Sequence, residues 1–196
     1  MIGVIGEDQS DVDMLTQLIR RLANNQRLEI KTKGYRGCGE MLRKGAAQLK
    51  AYNTAYDCRR FVVCYDSDRS APQERMDQLK REIIDRSGLH SEFCALVPTQ
   101  EIESWILADL HAVTKVITSW VPDKDISNPE SINDPKEFLE KLSRRFKKPL
   151  YSHAVHNPKI AVHLDLDKVS AKCMSFRPLV DFIRAGKSNV DRRLLA

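Results

Sequence analysis

Long apolar runs are the first thing this chain lacks. Its longest, FVVC at 61–64 and CALV at 94–97, fall far short of the roughly 20 residues a membrane-spanning helix needs. A basic, greasy leader is also missing: MIGVIGEDQS reads as the first strand of a fold, not as a secretion signal. Cysteine is scarce and odd in number, with Cys38, Cys58, Cys64, Cys94 and Cys173 scattered and no C-x-x-C pair. Neither a zinc cage nor a disulfide framework is indicated, so a reducing, cytoplasmic setting is expected. There is no internal repeat and no low-complexity tract. Charge is nearly balanced: a net +5 and a pI near 9.0 lean toward polyanionic partners without deciding for them. What is present, 196 residues with 42% apolar and 30% charged, suits one domain, or one domain with a helical appendage.

The pattern along residues 1–115 alternates strand and helix. Residues 2–5 form a buried strand, and Ser10 reads as the N-cap of a helix reaching Ala23, with Asp11 and Asp13 in its first turn. Residues 28–33 alternate as a second strand, GYRGCG is a loop, and a helix follows. FVVCY is the third strand, 71–87 a helix, EFCALVP the fourth strand and 99–113 its helix. Such alternation predicts an α/β fold, a parallel sheet with helices on both faces. Residues 116–196 read as a mostly helical extension packed on that domain. A polar, proline-bearing loop over 121–138 leads to helices at 135–146, 158–166 and 176–185.

Ligands of open parallel sheets bind at the C-terminal strand ends, and acids gather there. Glu7 follows strand one, with Asp11 four residues on; Asp66 and Asp68 follow strand three; Glu101 and Glu103 follow strand four. Crowded carboxylates call for a hard divalent cation, Mg²⁺ or Mn²⁺. Helical phase sets Glu103 at the edge of a buried stripe and Glu101 on the polar side, so Glu103 is the preferred ligand. Taken singly, each acid is as easily a helix cap.

The glutamate after strand one and the Asp-x-Asp after a later strand resemble the Toprim domain. GVIGEDQSDVDML is similar to that family's opening motif, with Asp8 where glycine is usual. PTQEIESWILAD, DPKEFLEKL and MSFRPLVDFI resemble small stand-alone bacterial Toprim proteins, a domain of unknown function related to overcoming-lysogenization-defect nucleases, some found with phage-defence systems. The resemblance implies a Toprim-like fold. It implies Glu7 as ligand or general acid–base, Asp66 and Asp68 as Mg²⁺ ligands, and Asp11 and Glu103 completing a two-metal site for phosphodiester hydrolysis.

Other residues fit that chemistry less specifically. Arg36, Arg43 and Lys44, around GYRGCG, are placed to meet a nucleic-acid backbone, DNA favoured over RNA. Lys136, Arg144, Arg145, Lys147, Lys148 and Lys159 make the C-terminal part basic, and Lys159 is the residue chosen to stabilise charge on the scissile phosphate. One alternative is a haloacid-dehalogenase-like phosphatase with Asp66 as nucleophile and Asp68 as acid–base, although its strand is third and a later Gly-Asp motif is missing. The other is a partner-dependent regulatory subunit that binds metal or nucleic acid and works with an ATPase. A homodimer stays open.

Overall fold

The computed structural model describes residues 1–121, 125–146 and 148–194. Strands β1 (Ile2–Gly6), β2 (Ile30–Gly34), β3 (Arg60–Cys64) and β4 (Glu92–Leu96) form one parallel sheet in the order β2-β1-β3-β4. Parallel neighbours need long crossovers. Helices α1 (Gln9–Ala23), α2 (Cys38–Tyr56) and α3 (Pro72–Leu79) provide them, α3 running on as a π-helical segment over Lys80–Asp85. The fold is α/β and fits the Toprim-like architecture expected.

Strand alternation divides the core. Ile2, Val4, Val62, Cys64, Cys94 and Leu96 face one side, which α1 covers with Leu15, Leu18 and Ile19. Ile5, Phe61 and Val63 face the other, under Met41 and Leu49 of α2 and Leu79 of α3. Each fully buried aliphatic or aromatic side chain contributes about 1.5–3 kcal/mol, so both helical layers are firmly held.

After β4 come α4 (Ser104–Leu107), α5 (Leu110–Thr114), α6 (Pro135–Ser143), α7 (His153–Ala161), α8 (Leu166–Lys172) and α9 (Arg177–Leu194). They share the first core: Leu139, Ile160, Phe176 and Leu179 belong to one apolar cluster with Val4, Leu15 and Trp105. Helix α7 packs along α1, and α9 packs against α1 and β4. No helix among the described residues is long and apolar enough to cross a membrane.

Several local expectations give way to tertiary contacts. The N-cap of α1 is Asp8, not Ser10: its Oδ1 accepts the Asp11 N–H at 3.0 Å and the Ser10 hydroxyl at 2.8 Å. The helix expected over 99–113 breaks into α4 and α5 at Asp109, which leaves helical geometry at φ −142°. Its carboxylate instead accepts the Asp165 N–H at 2.9 Å and faces Lys168 at 3.4 Å. Pro158 lies inside α7 and does not open a helix there; Asp165 caps α8 through the N–H groups of Asp167 and Lys168. In the stretch read as a 121–138 loop, a 3₁₀ turn forms at Pro129–Ser131, where Glu130 accepts the Met174 and Ser175 N–H groups at 2.9 and 3.0 Å, and α6 begins at Pro135. Residues 122–124 of that loop, and Lys147 of the basic run, lie outside the described residues.

The end of β2 abuts the start of α1. A Cβ on Gly34 would lie 2.4 Å from the Gln9 nitrogen and 2.5 Å from the Asp8 carbonyl carbon, backbone atoms that cannot swing aside. Gly34→Ala is therefore expected to lose about 1–3 kcal/mol. Gly39→Ala in α2, where a Cβ meets nothing within 4 Å, is expected to gain about 0.4–1 kcal/mol. Urea midpoints measure both, and equal midpoints for the two variants would contradict this packing.

Candidate active site

Strands β1 and β3 are neighbours whose connections depart in opposite directions, toward β2 and β4. The switch point of the sheet, where open α/β folds bind ligands, lies between their C-terminal ends. Glu7 follows β1 and Asp66 follows β3 at that place, and the register sets Ile5 beside Val63 just beneath. The Asp66 backbone N–H donates to Glu7 Oε1 at 3.0 Å. Asp11 sits on the first turn of α1, held by the Asp8 cap and 4% exposed. Asp8 has an extended backbone at φ −136°, so the position has no need of glycine, and the cap accounts for an aspartate there.

The pairing of β3 with β4 continues past both strands. Tyr65 N–H reaches Leu96 O at 3.0 Å, Ser67 N–H reaches Pro98 O at 3.1 Å, and Asp68 N–H reaches Gln100 O at 2.8 Å. Ser67 Oγ in turn accepts the Gln100 N–H at 2.7 Å. This seam brings the turn before α4, and with it Glu103, alongside Asp66. Glu103 has no exposed surface, where the helical pattern had put it at the edge of a stripe. Glu101, expected on the polar side, accepts the Lys136 backbone N–H at 2.8 Å.

The electrostatics show how closely these acids share one space. Glu7 is pushed up to about 7 by burial and then by Asp68, against the pull of the Asp66 N–H and Arg75. Burial also raises Glu103 to about 7, opposed by Lys136 and Asn157. Asp11 is raised by burial, Asp8 and Glu103, and Asp66 by burial, Asp11, Glu103 and Glu7. Asp11 Oδ1, Asp66 Oδ1 and Glu103 Oε2 are buried with no hydrogen-bond partner. An unmet buried acceptor costs about 1–3 kcal/mol, so such oxygens are poised for a ligand.

Two cations flank the acids. Lys136 Nζ lies 3.8 Å from Glu101 and 3.9 Å from Glu103. Burial pulls its pKa down, but Glu103, Glu101, Asp11 and Asp66 outweigh burial and raise it, so the ammonium stays charged. Arg75 of α3 lies 3.8 Å from Asp68, its guanidinium 4.7 Å from the centre of the Tyr65 ring. Unpartnered carboxylate oxygens are the donors a hard divalent cation takes, and Glu7, Asp11, Asp66 and Glu103 could hold one. Among the described residues no three His, Cys, Asp or Glu side chains already stand at metal-binding spacing.

Glu7, Asp11, Asp66 and Glu103 thus converge, while Asp68 stands at the exposed lip beside Arg75. Arg36, Arg43 and Lys44 are exposed around the start of α2, Lys44 paired with Glu40 at 2.5 Å. Lys159 is exposed on α7 near His156, and the ammonium whose charge reaches Asp11, Asp66 and Glu103 is that of Lys136. Arg75, Asn157 and Tyr151 went unread in the sequence, and Lys136 was read only as part of a basic surface. A depression of about 690 Å³ lined by Arg59, Asp85, His90 and Phe93 lies by the other end of β3 and β4, away from the acids.

A family model described as a domain of unknown function, DUF4276, matches residues 6–184. The chain belongs to the DUF4276 family. The matched region runs from the end of β1 into α9, so it includes the strand-end acids together with Lys136 and Asn157. No curated protein and no solved structure matches the chain.

Because the Glu103 carboxyl stands near 7 in the fold and at its ordinary 4.5 when unfolded, its ionisation opposes folding. The penalty is absent below about pH 4.5 and complete above about pH 7, where it amounts to about 3 kcal/mol. Without divalent cations, Glu103→Gln is expected to gain stability relative to wild type by about that much as pH rises through this window. Thermal or urea unfolding at pH 4.5 and 7.5 reads it, and a difference independent of pH would refute it.

Proposed function

We propose that this DUF4276 protein is a Toprim-related nuclease that hydrolyses phosphodiester bonds with Mg²⁺ or Mn²⁺, DNA favoured over RNA. The observation that carries this reading is the convergence of Glu7, Asp11, Asp66 and Glu103 at the sheet's switch point, with three of their buried oxygens unpartnered. The order of the acids, glutamate after the first strand and Asp-x-Asp after the third, supports the Toprim kinship.

A cation held by Asp11, Asp66 and Glu103 would supply Lewis-acid charge to a phosphoryl oxygen and acidify a bound water. Glu7, with its carboxyl near 7, can take and return a proton around neutral pH, as a general acid–base must. The Asp66 N–H fixes the direction of its carboxylate. Lys136 offers a compact positive charge to the phosphoryl group. Arg75, at the lip, offers a forked donor to a neighbouring phosphate. The net charge of +5 and the exposed Arg36, Arg43 and Lys44 favour a polyanionic substrate bound in a salt-dependent way.

A second reading rests on the spacing of the acids. Since no three of them already stand at metal-binding distance among the described residues, the site could close only with a partner, an ATPase or a second copy of the chain. The chain would then be a regulatory or catalytic subunit inactive alone.

Labelled single-stranded DNA, duplex DNA and RNA incubated with purified protein and Mg²⁺, Mn²⁺ or EDTA separate the two. Metal-dependent cutting is expected, falling at least about 100-fold in Glu7→Gln and Asp66→Asn. Lys136→Met is expected to cost more than Lys159→Met. A folded chain that binds Mn²⁺ and DNA but cuts none of the three substrates would transfer the conclusion to the partner-dependent reading.

A further inference from the structure

Glu103 is fully buried, and its carboxylate direction is set by a residue 54 positions away. Asn157 of α7, also without exposed surface, donates its Nδ2–H to Glu103 Oε1 at 2.9 Å. Its own Oδ1 accepts the hydroxyl of Tyr151 at 2.5 Å, and Tyr151 is 4% exposed. A side-chain amide carries an acceptor at one end and donors at the other. An ionised Glu103 can only accept, so the amide nitrogen faces it, and the amide oxygen on the other side takes the tyrosine hydroxyl and is held there. Lys136 Nζ approaches the same Oε1, at 3.9 Å. Both partners hold one carboxylate oxygen, and Oε2 is left buried and unpartnered.

We propose that Asn157, locked by Tyr151, is a positioning residue that holds Glu103 by Oε1 and presents Oε2 as the free ligand atom. This rests on the cation-binding reading above. Partners in the outer shell of a metal site commonly govern affinity as strongly as some ligands do, because they fix the direction of the ligand's lone pairs. The relay also gives the C-terminal helices a part in the chemistry, since neither Asn157 nor Tyr151 is near any of the acids in sequence.

The test is Mn²⁺ binding by titration calorimetry at a temperature where circular dichroism shows each variant folded. Asn157→Leu, close in size and without a donor, is expected to bind Mn²⁺ about 10–100-fold more weakly. Tyr151→Phe removes one hydroxyl and keeps the packing; it should weaken binding in the same direction by less, and it serves if Asn157→Leu does not fold. In a Glu103→Gln background neither change should weaken binding further, because an effect routed through Glu103 is already spent. Unchanged affinity in both single variants, or an equal further loss in the Glu103→Gln background, overturns the assignment. Wild-type protein that takes up no Mn²⁺ overturns the cation reading itself, a separate result that removes this assignment with it.

Discussion

Like charges drawn together out of water repel strongly unless another group shares the charge. At the C-terminal ends of β1, β3 and β4 this fold places Glu7, Asp11, Asp66 and Glu103 in one electrostatic neighbourhood. Each available remedy is present in part. The Asp66 N–H serves Glu7, Asn157 and Lys136 serve Glu103, and Asp8 caps the helix that carries Asp11. The remedies stop short of neutrality: one ammonium, one guanidinium at the lip and a few neutral donors face the acids, and the Glu7, Asp11, Asp66 and Glu103 carboxyls all stay raised. A core built only for stability would put an apolar side chain at Glu103, since buried charge is a poor way to hold a fold together. That residual charge is what the proposed cation would complete.

The parts that relieve the acids come from the far half of the chain. Lys136 opens α6 and Asn157 lies on α7, while α7 packs along α1, the helix that carries Asp11. The start of α6 is tied to the strand-end turns by its N-cap Asp134 with Arg69 at 3.0 Å and by the Lys136 N–H with Glu101. Packing of the helical region and geometry of the site are thus one problem. A change that loosens α7 from α1 would move Asn157 relative to Asp11, so the extension helps to set the geometry of the acids and is not only a shell around them.

How much of this the sequence discloses depends on range. Strand, turn and acid are local, so β1 with Glu7 and β3 with Asp66 could be read directly, and the rule for parallel sheets put them on one rim. The pairings that finish the site are distant: Glu103 with Asn157, Glu101 with Lys136. No spacing encodes them, and Lys136 looks like any lysine of a basic surface until α6 folds back. The same reason explains the broken helix at Asp109, whose carboxylate is taken by Asp165 and Lys168. It explains Pro158 as well: buried His156, Asn157 and Ile160 hold α7 together across a residue that lacks one N–H. Ser10 lost the cap to Asp8 because both are good caps and only the tight exit from β1 decides between them.

The serine between the two aspartates has its own physical role. Ser67 is 1% exposed, donating its N–H to Pro98 and accepting the Gln100 N–H on its hydroxyl. Pinned in that way, it forces the chain to turn at the next residue, and Asp68 takes a left-handed backbone at φ 49° opposite Gln100 at φ 64°. Such conformations cost about 1 kcal/mol or more each in a residue with a side chain, and they persist only where surrounding hydrogen bonds impose them. The turn sends the two acids apart: Asp66 stays buried against Glu7 and Asp11, while Asp68 turns outward to Arg75. A straight strand would also alternate their neighbour, but it would leave both carboxylates on the same face. Strain at this seam therefore separates an inner acid from one at the mouth, where Asp68 faces solvent beside Arg75.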